Sequence, residues 1–156
     1  MQRYDLDPDQ LPGYSPDIPE PAGLDAFWAR TLEENPFDPA AMRCVPVDTP
    51  LTTVDVHDLT FPGYGGDPVR AWVTLPAGAT GPLPGVVEYI GYGGGRGLPG
   101  DRLQWASAGF VHLLMDTRGQ GASWGDGGAT ADPHGTGTST PGFMTRGIES
   151  PETYYY

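Results

Sequence analysis

Gly85-Val86-Val87-Glu88-Tyr89-Ile90 and Gly109-Phe110-Val111-His112-Leu113-Leu114-Met115 are short, nearly continuous apolar runs. Runs of this kind suit strands buried on both faces, as in a parallel sheet. Between them, Pro99 to Ser107 carries Leu103, Trp105 and Ala106 and reads as a crossover helix. Residues 84–116 therefore read as one β-α-β unit, with the right-handed connection such units adopt. The expected fold class is α/β.

Upstream the pattern is different. Thr52 to Phe61 reads as an antiparallel-type strand, Pro62-Gly63-Tyr64-Gly65-Gly66-Asp67 as a turn, and Val69 to Leu75 alternates again, so the three together predict a hairpin. Residues 41–60 as a whole look extended, interrupted by Pro46 and Pro50. Over residues 23–35, Leu24, Phe27, Trp28 and Leu32 recur at helical spacing, with Glu33 and Glu34 off the stripe, and Pro36 ends the pattern. This helix is expected to pack on a core through Phe27 and Trp28. Residues 1–22, rich in Pro and Asp, read as an extended arm. Residues 117–149 are rich in Gly, Thr and Asp without periodicity and read as a long loop, functional or disordered. The whole of 1–156 reads as one partial domain: arm 1–22, helix 23–35, sheet portion 41–116, loop 117–149. An antiparallel hairpin leading into a parallel unit is how an α/β-hydrolase sheet begins, and other α/β folds begin so too.

Bulk properties narrow the function classes. The chain of 156 residues has room for one domain with a core. Eight Lys/Arg against twenty Asp/Glu give a net charge of −12. An acidic surface disfavours nucleic acid and anionic membranes, which both call for neutralising cations. The single cysteine, Cys44, excludes a disulfide framework and a cysteine-rich zinc site. No apolar h-region opens the chain and no stretch reaches the ~18 apolar residues of a membrane span. The expectation is a soluble, cytoplasmic protein without nucleic-acid or membrane partners. Glycine and proline make up about 27% of the residues, a composition at which disorder is a competing reading.

Three segments stand out chemically. Tyr89-Ile90-Gly91-Tyr92-Gly93-Gly94-Gly95-Arg96-Gly97 follows a strand directly. Glycines at the carboxyl end of a parallel strand let backbone amides approach a ligand, and ligands of open α/β sheets bind at that end. The segment suits phosphate binding or stabilisation of a tetrahedral oxyanion, and equally a turn without a chemical role. It lacks the Lys-Ser/Thr ending of a P-loop and does not fit the dinucleotide fingerprint. Met115-Asp116-Thr117-Arg118-Gly119-Gln120-Gly121-Ala122-Ser123 ends the next strand; Asp116 and Arg118 there suggest a charge pair pinning the loop. Pro141-Gly142-Phe143-Met144-Thr145-Arg146-Gly147-Ile148 has no general chemical signature and reads as a loop anchor.

Nucleophiles are conspicuous by their context. No Gly-x-Ser-x-Gly elbow occurs, and Ser15, Ser107, Ser123, Ser139 and Ser150 all lie elsewhere. His112 lies in an apolar strand and reads as a core residue, His57 belongs to a surface strand, and His134 lies in the long loop. No Asp/His cluster has metal-ligand spacing. Asp126, Asp132 and His134 can be assembled into a site on paper, but such glycine-flanked loop residues usually face water.

In this order, the three segments, together with Tyr154-Tyr155-Tyr156, the helix around Asp25-Ala26-Phe27-Trp28 and the Phe61-Pro62-Gly63-Tyr64 turn, resemble the acetyl xylan esterase and cephalosporin C deacetylase group, carbohydrate esterase family seven. The resemblance covers essentially the whole chain. It implies the N-terminal half of an α/β-hydrolase fold, a Ser-His-Asp triad, deacetylation of xylo-oligosaccharides and cephalosporin C, a homo-oligomer, commonly a hexamer, and no metal or organic cofactor. Of the family's Arg-Gly-Gln, Gly-x-Ser-Gln-Gly and His-Glu signatures, only the first is present, at Arg118-Gly119-Gln120. By the family's pattern Tyr92 supplies an oxyanion-hole backbone N–H and borders the acetyl site, with Gly91, Gly93, Asp116, Arg118, Gly119 and Gln120 as its supporting loops. The nucleophile, acid, base and second oxyanion donor are implied beyond Tyr156, so no catalytic residue is expected within the chain.

The last residues agree with that expectation. Ser150, Pro151 and Glu152 read as N-cap, first position and first-turn acid of a helix that the three tyrosines only begin. The expectation is a chain that continues, inactive by itself, with Val86–Ile90 left as an unpaired apolar edge. The competing readings are a non-catalytic acidic carbohydrate-binding module, with Trp72, Trp105 and Trp124 stacking on sugars, or a degenerate relic of the esterase.

Overall fold

The computed structural model describes residues 5–91, 93–121 and 126–131. Two compact units, residues 1–36 and 37–156, are considered separately.

In the first unit, a 3-10 turn at Leu11–Gly13 precedes one helix, α1 (Leu24–Glu34). Gly23, with φ of 91°, turns the chain into α1, and Asp25 puts negative charge in its first turn. At the other end the Asn35 side chain and backbone both donate to the Thr31 carbonyl, at 2.8 and 3.1 Å, before Pro36 prevents continuation. The helix forms where its periodicity predicts, and within it Phe27 and Trp28 meet edge to face, with centroids 5.3 Å apart.

The described residues of the second unit form a five-stranded sheet in the order β1-β2-β3-β5-β4, with β1 Arg43–Val47, β2 Val54–Pro62, β3 Pro68–Pro76, β4 Gly85–Tyr89 and β5 Val111–Met115. The first three strands form an antiparallel meander. The β2–β3 hairpin runs from Val54↔Pro76 to Pro62↔Pro68, and its turn uses Gly65 and Gly66 at positive φ. β5 joins β3 antiparallel and β4 parallel, so the parallel pair foreseen from the two apolar runs is present.

Two features differ from the sequence-based expectation. The crossover helix α2 is only one turn, Gln104–Ser107, because Gly97 and Gly100 adopt positive φ and Pro99 lies between them, while Gly109 at φ 94° ends the segment. Asp101 orders this stretch by accepting from Leu98 N–H at 2.7 Å. Moreover, β4 is not buried on both faces. It is the terminal strand of the described sheet, and Val87 and Tyr89, which point to the same face, are 56% and 68% exposed.

The core lies on the other face. Val54, Val56 and Ala106 are buried together, with Leu51, Trp72 and Leu103 packed against them. One turn of α2 suffices to bring Ala106 onto β2.

Candidate functional site

Because β4 and β5 run parallel, their carboxyl ends lie at one edge of the sheet, and the segments after them leave side by side. This is where open α/β sheets place ligands. The two segments are tied directly: Gly93 N–H donates to Gln120 Oε1 at 2.9 Å. Within the first, Gly94 N–H donates to the Gly91 carbonyl at 3.0 Å, a tight turn.

Asp116, the first residue after β5, is 1% exposed. Its Oδ1 accepts from Arg96 N–H at 3.1 Å, and its Oδ2 from Ala129 and Thr130 N–H at 2.6 and 2.8 Å. Through three backbone amides the carboxylate thus ties two other chain segments to the end of β5. Thr130 extends the tie, its Oγ1 accepting from Arg70 N–H at 2.9 Å and its carbonyl from Gly119 N–H at 3.0 Å.

The glycines in this region permit backbone to touch backbone. A Cβ at Gly95 would lie 2.5 Å from the Asp126 carbonyl oxygen and closer still to Gly128 N. Gly97 N–H donates to that same Asp126 carbonyl at 2.8 Å. Any larger residue at Gly95 would force the two segments apart.

Arg96 closes the first segment, and its side chain is buried at 4% exposure. Its Nη1 donates to Asp58 Oδ1 at 2.8 Å and to the Ala71 carbonyl at 2.9 Å, and its Nη2 reaches Asp58 Oδ2 at 3.4 Å. The guanidinium lies 3.6 Å from the centroid of the Trp72 ring, a cation–π contact. Trp72 in turn donates from Nε1 to the Gly97 carbonyl at 3.0 Å. Asp58 also pairs with Arg70. Burial opposes ionisation of Asp58, but the hydrogen bonds and charges of Arg96 and Arg70 outweigh it and hold the carboxyl below its usual range.

Beside this cluster, a cavity of about 10 Å³ is bordered by Trp72, Thr74, Arg96, His112 and Leu114. Arg96 Nε is buried with no hydrogen-bond partner among the described residues. His112, 1% exposed, bonds from Nε2 to Glu88 Oε2 at 3.0 Å, and Glu88 also pairs with Arg102. Burial lowers the His112 pKa, a hydrogen bond to the Arg102 backbone offsets part of that, and the Arg102 charge lowers it further. His112 is thus a core histidine, as its apolar surroundings in sequence indicate.

Of the residues singled out in the sequence, Gly91, Gly93, Asp116, Arg118, Gly119 and Gln120 all lie in these two adjoining segments. Tyr92, Trp124, Asp132, His134 and residues 141–156 lie outside the described residues. Asp58, Arg96 and Thr130 escape sequence reasoning, and Trp72 stands out there only as a sugar-stacking candidate, not as a partner of Arg96. The one available signal is Arg96 itself, a lone cation set among five glycines.

The described site can orient backbone amides but holds no nucleophile–base pair. His112 is committed to Glu88, and His57 sits in β2 with Nδ1 buried and without a hydrogen-bond partner among the described residues. Among the described residues, no group of three or more His, Cys, Asp or Glu is placed to hold a metal ion. No described helix is long and apolar enough to cross a membrane.

The acetyl xylan esterase family model matches residues 1–156. Among solved structures, an acetyl xylan esterase from Paenibacillus sp. R4 is 34% identical with a TM-score of 0.77, over 97% of this chain and 47% of that one. Acetyl xylan esterase 1 from Thermoanaerobacterium sp. JW/SL YS485 is 28% identical with a TM-score of 0.73, over 94% of this chain and 44% of that one. The chain therefore spans about half the length of the solved proteins it resembles.

Proposed function

The chain belongs to the acetyl xylan esterase family, and from that premise we propose that it supplies the oxyanion-side half of a serine carboxylic-ester hydrolase that deacetylates xylo-oligosaccharides. Cephalosporin C, whose acetyl ester presents the same reacting group, is included in the proposed substrate class.

Attack on an acetyl carbonyl places negative charge on its oxygen, and N–H donors preset around that oxygen stabilise the transition state more than the substrate. The proposed donor here is the backbone N–H of Tyr92. The Ser-His-Asp triad and the second oxyanion donor are assigned to the portion of the family's length that this chain does not span. Within the chain, the role of Gln120 is to hold Gly93, the residue next to the donor, through its side-chain oxygen. That of Asp116 is to lock the segments behind it through three amides.

The observation that carries this reading is the Gly93 N–H to Gln120 Oε1 bond, which couples the segments after β4 and β5 at the ligand-binding edge of the sheet. The binding-module reading gains no comparable support. Trp72 is engaged by Arg96 and Gly97 rather than offered to a sugar, and Trp105 stacks edge to face on Phe110 at 5.8 Å.

Without a triad, only binding and oxyanion assistance are left. The purified 156-residue chain is therefore expected to show no serine-dependent turnover of an aryl acetate. Turnover that is abolished by a serine-directed inhibitor would refute the assignment of the nucleophile to a region outside the chain.

A further inference from the structure

From Gly93 to Gly97, the only side chain is that of Arg96. Glycine has the widest backbone freedom of any residue, so a segment of this composition has little conformational preference of its own. What holds it must come from its backbone contacts and from that one side chain. Arg96 supplies an anchor at both levels. Its backbone N–H is fixed by Asp116 at the end of β5, and its guanidinium is fixed by Asp58 on β2, by the Ala71 carbonyl on β3 and by the face of Trp72.

We propose that Arg96, clamped by Asp58, is a positioning residue for ester hydrolysis, setting the place of the glycine-rich segment that carries the oxyanion donor. The inference rests on the function proposed above. At 4% exposure the guanidinium is enclosed by Asp58, Ala71 and Trp72, so it acts through the segment and not on the substrate. Gly93, next to the donor, is held by Gln120, and Arg96 holds the chain three residues further on, so the segment is pinned at two points.

The chemistry requires arginine rather than any cation. The planar fork lets Nη1 and Nη2 hold the two Asp58 oxygens and Nη1 also reach the Ala71 carbonyl while Cζ lies over the Trp72 ring; a single ammonium, a point charge with three donors, cannot make all of these contacts from one position. Arg96→Lys keeps the charge and removes the fork. Asp58→Asn keeps the shape and removes the charge that clamps it.

The test uses the translation product of the source gene read past the codon for Tyr156, with p-nitrophenyl acetate as substrate and hydrogen exchange of residues 91–97 as a second readout. A displaced donor weakens stabilisation of the transition state alone. Arg96→Lys is therefore expected to lower kcat about tenfold to a hundredfold with KM within about twofold, and to speed exchange in 91–97. Asp58→Asn is expected to give the same pattern with a smaller fall, and it decides the matter if Arg96→Lys does not fold. Unchanged kcat and unchanged exchange in a folded variant would overturn the inference, as would a rise in KM at constant kcat. An unsubstituted protein without acetyl esterase activity would overturn the proposed function itself, which separates the two failures.

Discussion

Replacing Gly95 with alanine tests whether the glycine-rich segment and residues 126–128 are packed backbone on backbone. The new Cβ would meet the Asp126 carbonyl oxygen at 2.5 Å and Gly128 Cα at 2.8 Å, where ordinary contacts lie at about 3.5–4.0 Å. Relief requires a shift on the order of 1 Å, and the opposing atoms are backbone, which cannot rotate away. That backbone is also held in place by Asp116, through Ala129 and Thr130 N–H. Overpacking of this kind costs about 1–3 kcal/mol. Loss of the Gly97 N–H to Asp126 carbonyl bond adds about 1 kcal/mol. Against this, alanine restricts the unfolded chain and returns about 0.4–1 kcal/mol. The net expectation is destabilisation by about 2 kcal/mol, measured by urea unfolding followed by tryptophan fluorescence. Gly85→Ala is the control: its Cβ would meet only the Val111 carbonyl oxygen, at an ordinary 3.9 Å, and its φ is not positive. It should be neutral or slightly stabilising. Gly95→Ala as stable as the control would refute the close approach.

Three further outcomes are expected. Asp116→Asn should destabilise by about 1–3 kcal/mol, since one of the three buried amide donors must then face an NH₂ group; equal urea midpoints would contradict this. Because the folded-state pKa of His112 is lowered, the unfolded chain takes up its proton first, so stability should be full above about pH 6.5 and fall as pH drops from there through the folded value. His112→Gln should remove that part of the pH dependence in thermal melts, and an unaltered profile would show that His112 is not its source. A crystal structure at high resolution should reveal an ordered water between Arg96 Nε and the polar groups of the ~10 Å³ cavity, which is about the space one water needs; a dry cavity in good density would contradict it.

What the sequence makes legible is local pattern. The hairpin follows from alternation on both sides of a glycine-rich turn, and α1 follows from helical spacing between Gly23 and Pro36. The parallel pair follows from two apolar runs, although their burial does not. Val87 is as apolar as Leu114, yet it lies 56% exposed on the terminal strand while Leu114 is buried on the strand inside it. The two residues point to opposite faces and lie on strands of different position in the sheet, and hydropathy reports neither face nor strand order. The short α2 was masked by Leu103, Trp105 and Ala106, which have helical spacing but sit after two glycines that break the helix. In the candidate site, the two glycine-rich segments are visible in sequence because they follow strand-like runs. The Asp58–Arg96 pair is not, because its partners lie 38 residues apart and meet only when β2 and β3 are zipped together. The hold of Asp116 on Arg96, Ala129 and Thr130 is not legible either, because it runs through amides, which every residue but proline carries and no sequence pattern marks.

The most direct test of the central claim is acetate release from an acetylated xylo-oligosaccharide, measured for the 156-residue chain and for the translation product of its source gene read past the codon for Tyr156. The account predicts release by the longer product, abolished when the serine of a downstream Gly-x-Ser-Gln-Gly segment is replaced, and none by the 156-residue chain. Release by the 156-residue chain alone, or none by a folded longer product, would contradict it.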